Sequence, residues 1–131
     1  MQEPTGSLEV AVAQALRLLE QSPALAAEQA EEILRVVPGH PPATLLLAAA
    51  RRLSGQPAAA LLLLEPLVKL AADWAPAQFE FALALAAAGR GDAAIAALRH
   101  ALRLNPAHPE AWRILADHLM AVGDTAGADE A

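Results

Sequence analysis

An all-α solenoid of antiparallel helix pairs is the fold the sequence predicts, on three observations. The composition is 56% hydrophobic with two Phe, two Trp and no Tyr, which favours helix because strands draw on β-branched and aromatic side chains. Slid against itself by 34 residues, the chain superposes Gly55, Gly89 and Gly123, then Ala43, Ala77 and Ala111, then Ala48, Ala82 and Ala116, then Ala26, Ala60, Ala94 and Ala128. A fixed period of this size marks a repeat architecture. Larger residues keep the register: Leu47, Phe81 and Leu115 share a column, as do Leu34, Val68 and Leu102, Arg35, Lys69 and Arg103, and Pro38 with Pro106.

The period divides the chain into a leader, residues 1–6, expected to be disordered, and a single domain, 7–131, of units 7–40, 41–74, 75–108 and a partial 109–131. In the first unit Ser22 offers an oxygen to the amides of a helix opened by Pro23, while Gln21 stands where later units carry glycine. In the second, Pro42 opens the first helix, Gly55 supplies a bend tolerant of positive φ, and Pro57 opens the second helix. Pro66 lies inside that second helix, lacks an amide donor and clashes with the Leu62 carbonyl, so a kink or break is predicted at Glu65 or Pro66. The third unit repeats the scheme with Pro76, Gly89 and Asp92 as a cap before Ala93; the fourth begins it again with Pro109, Gly123, and Asp124 before Thr125. The alanine columns let helix backbones approach while Leu and Phe fill the remaining space.

Composition also narrows function. The formal charge of -6 lacks the Lys and Arg surplus that phosphate neutralisation needs, so nucleic acid is not an expected partner. No Cys is present, which removes disulfides, thiolate nucleophiles and Cys-bound zinc. His40, His100, His108 and His118 include no i, i+4 pair, so no metal site is drawn. Ser7, Ser22 and Ser54 lack a glycine-flanked elbow, and Gly89-Arg90-Gly91-Asp92 reads as a turn between helices; neither a catalytic residue nor a cofactor is expected. The amino terminus lacks a basic-then-apolar pattern and the longest apolar runs are far short of a membrane span, so a cytoplasmic protein without membrane partners is expected. Arg90, Arg99, His100 and Arg103 form the one basic cluster, read as a solvated convex face with an acidic partner or phosphate as the minority reading.

The segments Trp112 to Asp124, WRILADHLMAVGD, and Gly89 to Pro106, GRGDAAIAALRHALRLNP, resemble the tetratricopeptide repeat, and the resemblance extends over residues 7–131. It implies a right-handed superhelix whose first helices line a concave groove that holds a protein or peptide, with no catalysis by the module itself. Carried over by register, the groove positions are Leu45, Ala49 and Arg52 in unit two, Phe79, Leu83 and Ala86 in unit three, and Arg113, Asp117 and Met120 in unit four. The expected partner inserts one or two hydrophobic anchors and pairs a carboxylate with Arg52 or Arg113. The alternative is that Phe79 and Leu83 only pack against the neighbouring repeat. The Lys and Asn positions by which one subclass grips acidic chaperone tails are held here by Ala11, Ala15, Leu45, Ala49, Phe79 and Leu83, so that ligand is not expected.

The final repeat stops at Ala131, part-way through its second helix, which leads to the expectation of a fragment of a longer protein. An uncovered face bearing Leu115, Leu119 and Val122 is then expected to join two copies in a homodimer, or else to fray. A different function follows from a resemblance of residues 111–131 to bacterial proteins that place such repeats before a sulfotransferase domain. The chain would then be the interaction or oligomerisation arm of a larger enzyme whose catalytic domain lies outside it.

Overall fold

The computed structural model describes residues 4–123, with side chains described from Leu8 to Val122. Among these residues there are seven helices and no strand: α1 (Pro4–Gln21), α2 (Pro23–Val36), α3 (Pro41–Leu53), α4 (Pro57–Leu70), α5 (Ala75–Ala87), α6 (Gly91–Leu104) and α7 (Pro109–Gly123). The starts of α3, α5 and α7 fall at 41, 75 and 109, and those of α2, α4 and α6 at 23, 57 and 91, each 34 residues after the last. Helix starts therefore obey the period read from the glycine and alanine columns. α1 begins at Pro4, so the leader expected to be disordered over 1–6 is helical from residue 4, a start that Pro suits because a first-turn amide has no intrahelical acceptor. Residues 1–3, and the second helix expected from Thr125, lie outside the described residues.

The bends carry the signatures that their residues require. Gly55 and Gly89 have φ of 79° and 80°. After α3 the Gly55 amide donates to the Arg52 carbonyl and Gln56 to Arg51; after α5, Gly89 donates to Ala86 and Arg90 to Leu85. Both are the paired bonds of a glycine-terminated helix, which satisfy carbonyls left without partners by the last turn. The Ser22 hydroxyl accepts the Leu25 amide at 3.3 Å, capping α2. Asp92, expected just ahead of its helix, sits inside the first turn of α6, and Arg90 holds the cap position. There its charge faces the helix's positive end.

A recurrent tether closes the turns between units. Gln78 Nε2 donates to the Ala72 carbonyl at 3.1 Å, and Trp112 Nε1 donates to the Pro106 carbonyl at 2.7 Å. Donor and acceptor are each shifted by the repeat period. In the same column, the Thr44 hydroxyl donates to His40 O at 2.9 Å.

Each helix packs on its neighbours in sequence, and in addition α1 touches α3 and α3 touches α5. The first helices of the units thus form one layer, with α2, α4 and α6 behind them. Between the layers lie the alanine columns: Ala26, Ala60, Ala94, Ala43, Ala77, Ala48 and Ala82 are wholly buried. Leu64, Leu85 and Leu98 fill the space these small residues leave. In the last unit Ala116 is exposed. Leu115, expected on an uncovered face, is instead buried in the core cluster with Leu98 and Leu102, whereas Leu119 and Val122 remain partly open.

Of the kink or break expected at Glu65 or Pro66, the break is absent: the helix runs through Pro66 from residue 57 to 70. Pro66 and Leu62 lie on the outer, exposed face, so the carbonyl deprived of its donor meets water. Leu61, Leu64 and Leu67 are buried on the inner face and hold the helix in place.

Candidate functional site: an apolar concave cavity

Helices α1, α3 and α5 present their free faces to one side, and between them opens a cavity of about 360 Å3. Val12, Leu16 and Leu19 of α1, Leu45 and Ala49 of α3, and Trp74 and Phe79 at the start of α5 form its walls. Asn105 and His108 close the far end. Through Val12, Leu16 and Pro42 the cavity continues into a second depression of about 400 Å3 that reaches Leu8 and His40. Leu16 is 53% exposed, so this strip offers apolar surface to a guest at little cost in the chain's own packing.

His108 links the cavity wall to the start of α7. Its Nδ1 accepts the Ala111 amide at 3.1 Å, capping α7, and its ring lies 4.5 Å from that of Phe79 between centroids, tilted by 45°. Phe79 packs against the core cluster and also lines the cavity.

Beside the cavity the layer carries one charged pair. Arg52 Nε donates to Glu80 Oε2 and Nη2 to Glu80 Oε1 at 3.3 Å, joining α3 to α5. The side chains are 21% and 10% exposed. Burial pushes the Glu80 carboxyl above its ordinary value of 4.5, and the hydrogen bond and charge of Arg52 pull it back. The adjacent Arg51 reaches the other way, to Glu31 of α2 at 2.7 Å.

Of the nine groove residues read from the sequence, the structure brings Leu45, Ala49 and Phe79 into the cavity. Leu83 and Ala86 are half-buried further along α5. Arg52 is taken by Glu80 and is not the free carboxylate reader expected of it. Arg113, Asp117 and Met120 are exposed on α7 and line no part of the cavity, and Arg113 lies 4.0 Å from Glu110 and 3.9 Å from Asp117. The cavity therefore sits one unit nearer the amino terminus than expected, because α1 contributes the wall that α7 was to supply.

Glu80 and the α1 residues escaped the sequence reading, yet the repeat register carries a signal for Glu80. Its column reads Val12, Leu46, Glu80, Ile114, and that of Arg52 reads Leu18, Arg52, Ala86, Met120. Opposite charges that each replace an apolar residue on the first helices of adjoining units point to a buried pair.

Two layers of paired helices around a concave apolar wall define a helical-repeat scaffold. Residues 75–118, from the start of α5 into α7, match the family model of the tetratricopeptide repeat. The chain is an all-α helical-repeat solenoid, and over those residues it is similar to the tetratricopeptide repeat. Solved structures share the fold at low identity. The first tetratricopeptide-repeat domain of human RPAP3 is 19% identical with a TM-score of 0.80, the match covering 89% of this chain and 93% of that one. MamA from Desulfovibrio magneticus RS-1 is 22% identical with a TM-score of 0.77, covering 94% of this chain and 70% of that one. A mutant O-GlcNAc transferase of Thermobaculum terrenum is 24% identical with a TM-score of 0.80, the match covering 91% of this chain but only 23% of the transferase. No curated protein sequence matches the chain. Among the described residues no helix is long and apolar enough to cross a membrane.

Proposed function

We propose that the chain is a non-catalytic protein-binding module whose concave layer seats one or two bulky apolar side chains of a partner segment. The observation that carries this is the cavity of about 360 Å3 walled by Leu16, Leu45, Trp74 and Phe79. Its size lies within the range of roughly 300–1,000 Å3 typical of ligand sites. The one ionised side chain in its wall, Glu80, is already neutralised by Arg52. A charged anchor would lose its hydration there without gaining a partner, whereas an apolar one gains from leaving water. The net charge of -6 further favours a partner segment with neutral or basic flanks over an acidic one or a nucleic acid.

The test is a set of peptides selected from a random display library against the full chain, followed by mapping of their contacts through backbone amide NMR shifts. Shifts concentrated on α1, α3 and α5, and binding weakened at least tenfold by Leu16→Asp, are the expected result. Leu16 is half exposed, so this variant retains its fold. Selected peptides that perturb none of these helices would overturn the proposal.

A second reading, the interaction or oligomerisation arm of a larger enzyme, draws support from the transferase, in which the matched fold is 23% of a longer chain. An open reading frame that continues beyond codon 131 into a catalytic domain would favour it.

A further inference from the structure

Away from the concave layer, α6 and α7 border another open cavity, of about 430 Å3. Leu102 and Leu115 are its buried floor, Trp112 and Leu119 its walls at 51% and 39% exposure, and Arg99 and Arg103 its rim. The repeat itself shows what shape of group fits such a surface. One unit earlier the equivalent positions are Val68, Phe81 and Leu85, which belong to one core cluster with Ala94, Ile95 and Leu98 of α6. The surface between a second helix and the next first helix is thus a seat for a third helix. In the register of Ala94 and Ile95 the chain's own later residues are Ala128 and Asp129. In the sequence, Asp129 thus replaces the apolar Ile95 of the earlier unit by a carboxylate.

The rim states the chemistry of the occupant. Arg99 and Arg103 lie one turn apart on α6, exposed, with no ion pair to a carboxylate among the described residues. Arg103 leans on His100 Nδ1 at 3.4 Å, and His100 Nε2 is held by the Ala72 carbonyl at 3.1 Å, which fixes the tautomer that accepts from Arg103. Like charges at this spacing disfavour a helix unless anions sit between them. On a chain with an acidic excess, two unneutralised cations beside a leucine floor form a matched polar and apolar pattern.

We propose that this face docks an amphipathic helix of a partner protein, which sets two or three aliphatic side chains on Leu102, Leu115 and Leu119 and acidic side chains one turn apart against Arg99 and Arg103. The site is separate from the concave cavity, and its test separates the two. A display library of amphipathic helices with acidic, neutral or basic edges is selected against the full chain. Enrichment of acidic edges one turn apart is expected. Reversing both cations, Arg99→Glu with Arg103→Glu, weakens the selected helices by roughly tenfold, and so does raising the salt concentration. Leu16→Asp on the concave layer leaves this binding unchanged. In a Trp74→Phe background, docking shifts the Trp112 emission to the blue.

Three results would overturn the proposal. One is helices without an acidic bias, or indifferent to the charge reversal. Another is a Trp112 shift that grows with protein concentration alone, which assigns the face to a second copy. The last is an affinity that rises more than tenfold on removal of residues 124–131, which assigns it to the chain's own end.

Discussion

The Arg52–Glu80 pair invites a perturbation whose outcome depends on burial more than on charge. Glu80→Leu leaves a guanidinium whose side chain is only 21% exposed without its anion. Removing one member of a buried pair costs about 3–5 kcal/mol, and the partial exposure of Arg52 lets it swing toward water, so a loss of about 2–3 kcal/mol is expected. At roughly 3 °C per kcal/mol for a chain of this length, that is a fall in Tm of about 6–9 °C. The double variant, Arg52→Leu with Glu80→Leu, restores the apolar character that Leu18, Met120, Leu46 and Ile114 give the same columns in other units. Its stability is expected within about 1 kcal/mol of the parent or above it, because neither charge then needs desolvation. Urea denaturation followed by far-UV circular dichroism, with all four members of the cycle compared at equal m-values, measures the coupling as about 2–3 kcal/mol. A double variant that loses the sum of the two single losses would refute the reasoning, since the pair would then not act as a unit.

Four further outcomes follow from single residues. Because burial holds the Glu80 carboxyl above 4.5 in the folded chain, the folded state keeps that proton to higher pH than the unfolded one. The stabilisation is fully present below 4.5 and is lost as pH rises through the raised value. The stability of the parent minus that of Glu80→Gln should fall over that window, and a rise there contradicts the sign. Gly55→Ala meets no atom within 4 Å of an added Cβ, yet φ is 79°; the expected loss of about 1–2 kcal/mol is backbone strain alone, and Gly91→Ala, without positive φ, serves as the thermal-melt control. Ala94→Leu forces three carbons into a wholly buried helix contact and should cost about 1–3 kcal/mol, while Ala96→Leu on the exposed face should leave the urea midpoint within error. Pro66→Ala returns an amide to the Leu62 carbonyl on the outer face of α4 and should stabilise by about 1–3 kcal/mol, read as a higher midpoint at unchanged m.

Pro66 shows where local reasoning stops. The missing donor and the ring clash are properties of one turn, and they argue for a kink or break. The burial of Leu61, Leu64 and Leu67 against neighbouring helices is a property of the assembled layers, and it keeps the helix whole. The site divides in the same way. Leu45, Ala49 and Phe79 reach the cavity because they share a face with a fixed spacing along their helices, which the register displays. Arg52 occupies a groove position by the same spacing, but its partner is 28 residues away on α5, and that pairing spends its charge.

The 34-residue period, the helix starts at proline, the bends at Gly55 and Gly89 and the small-residue columns were all determined by the sequence alone. Each depends on the conformational range of one residue, or on a spacing that repeats. Tertiary structure alone decided that α1 walls the cavity, that Leu115 is interior, that Arg52 belongs to Glu80, and that α6 and α7 leave a leucine floor beside two arginines. These depend on which faces meet when helices distant in the chain stack, and on how much water that stacking removes from each side chain.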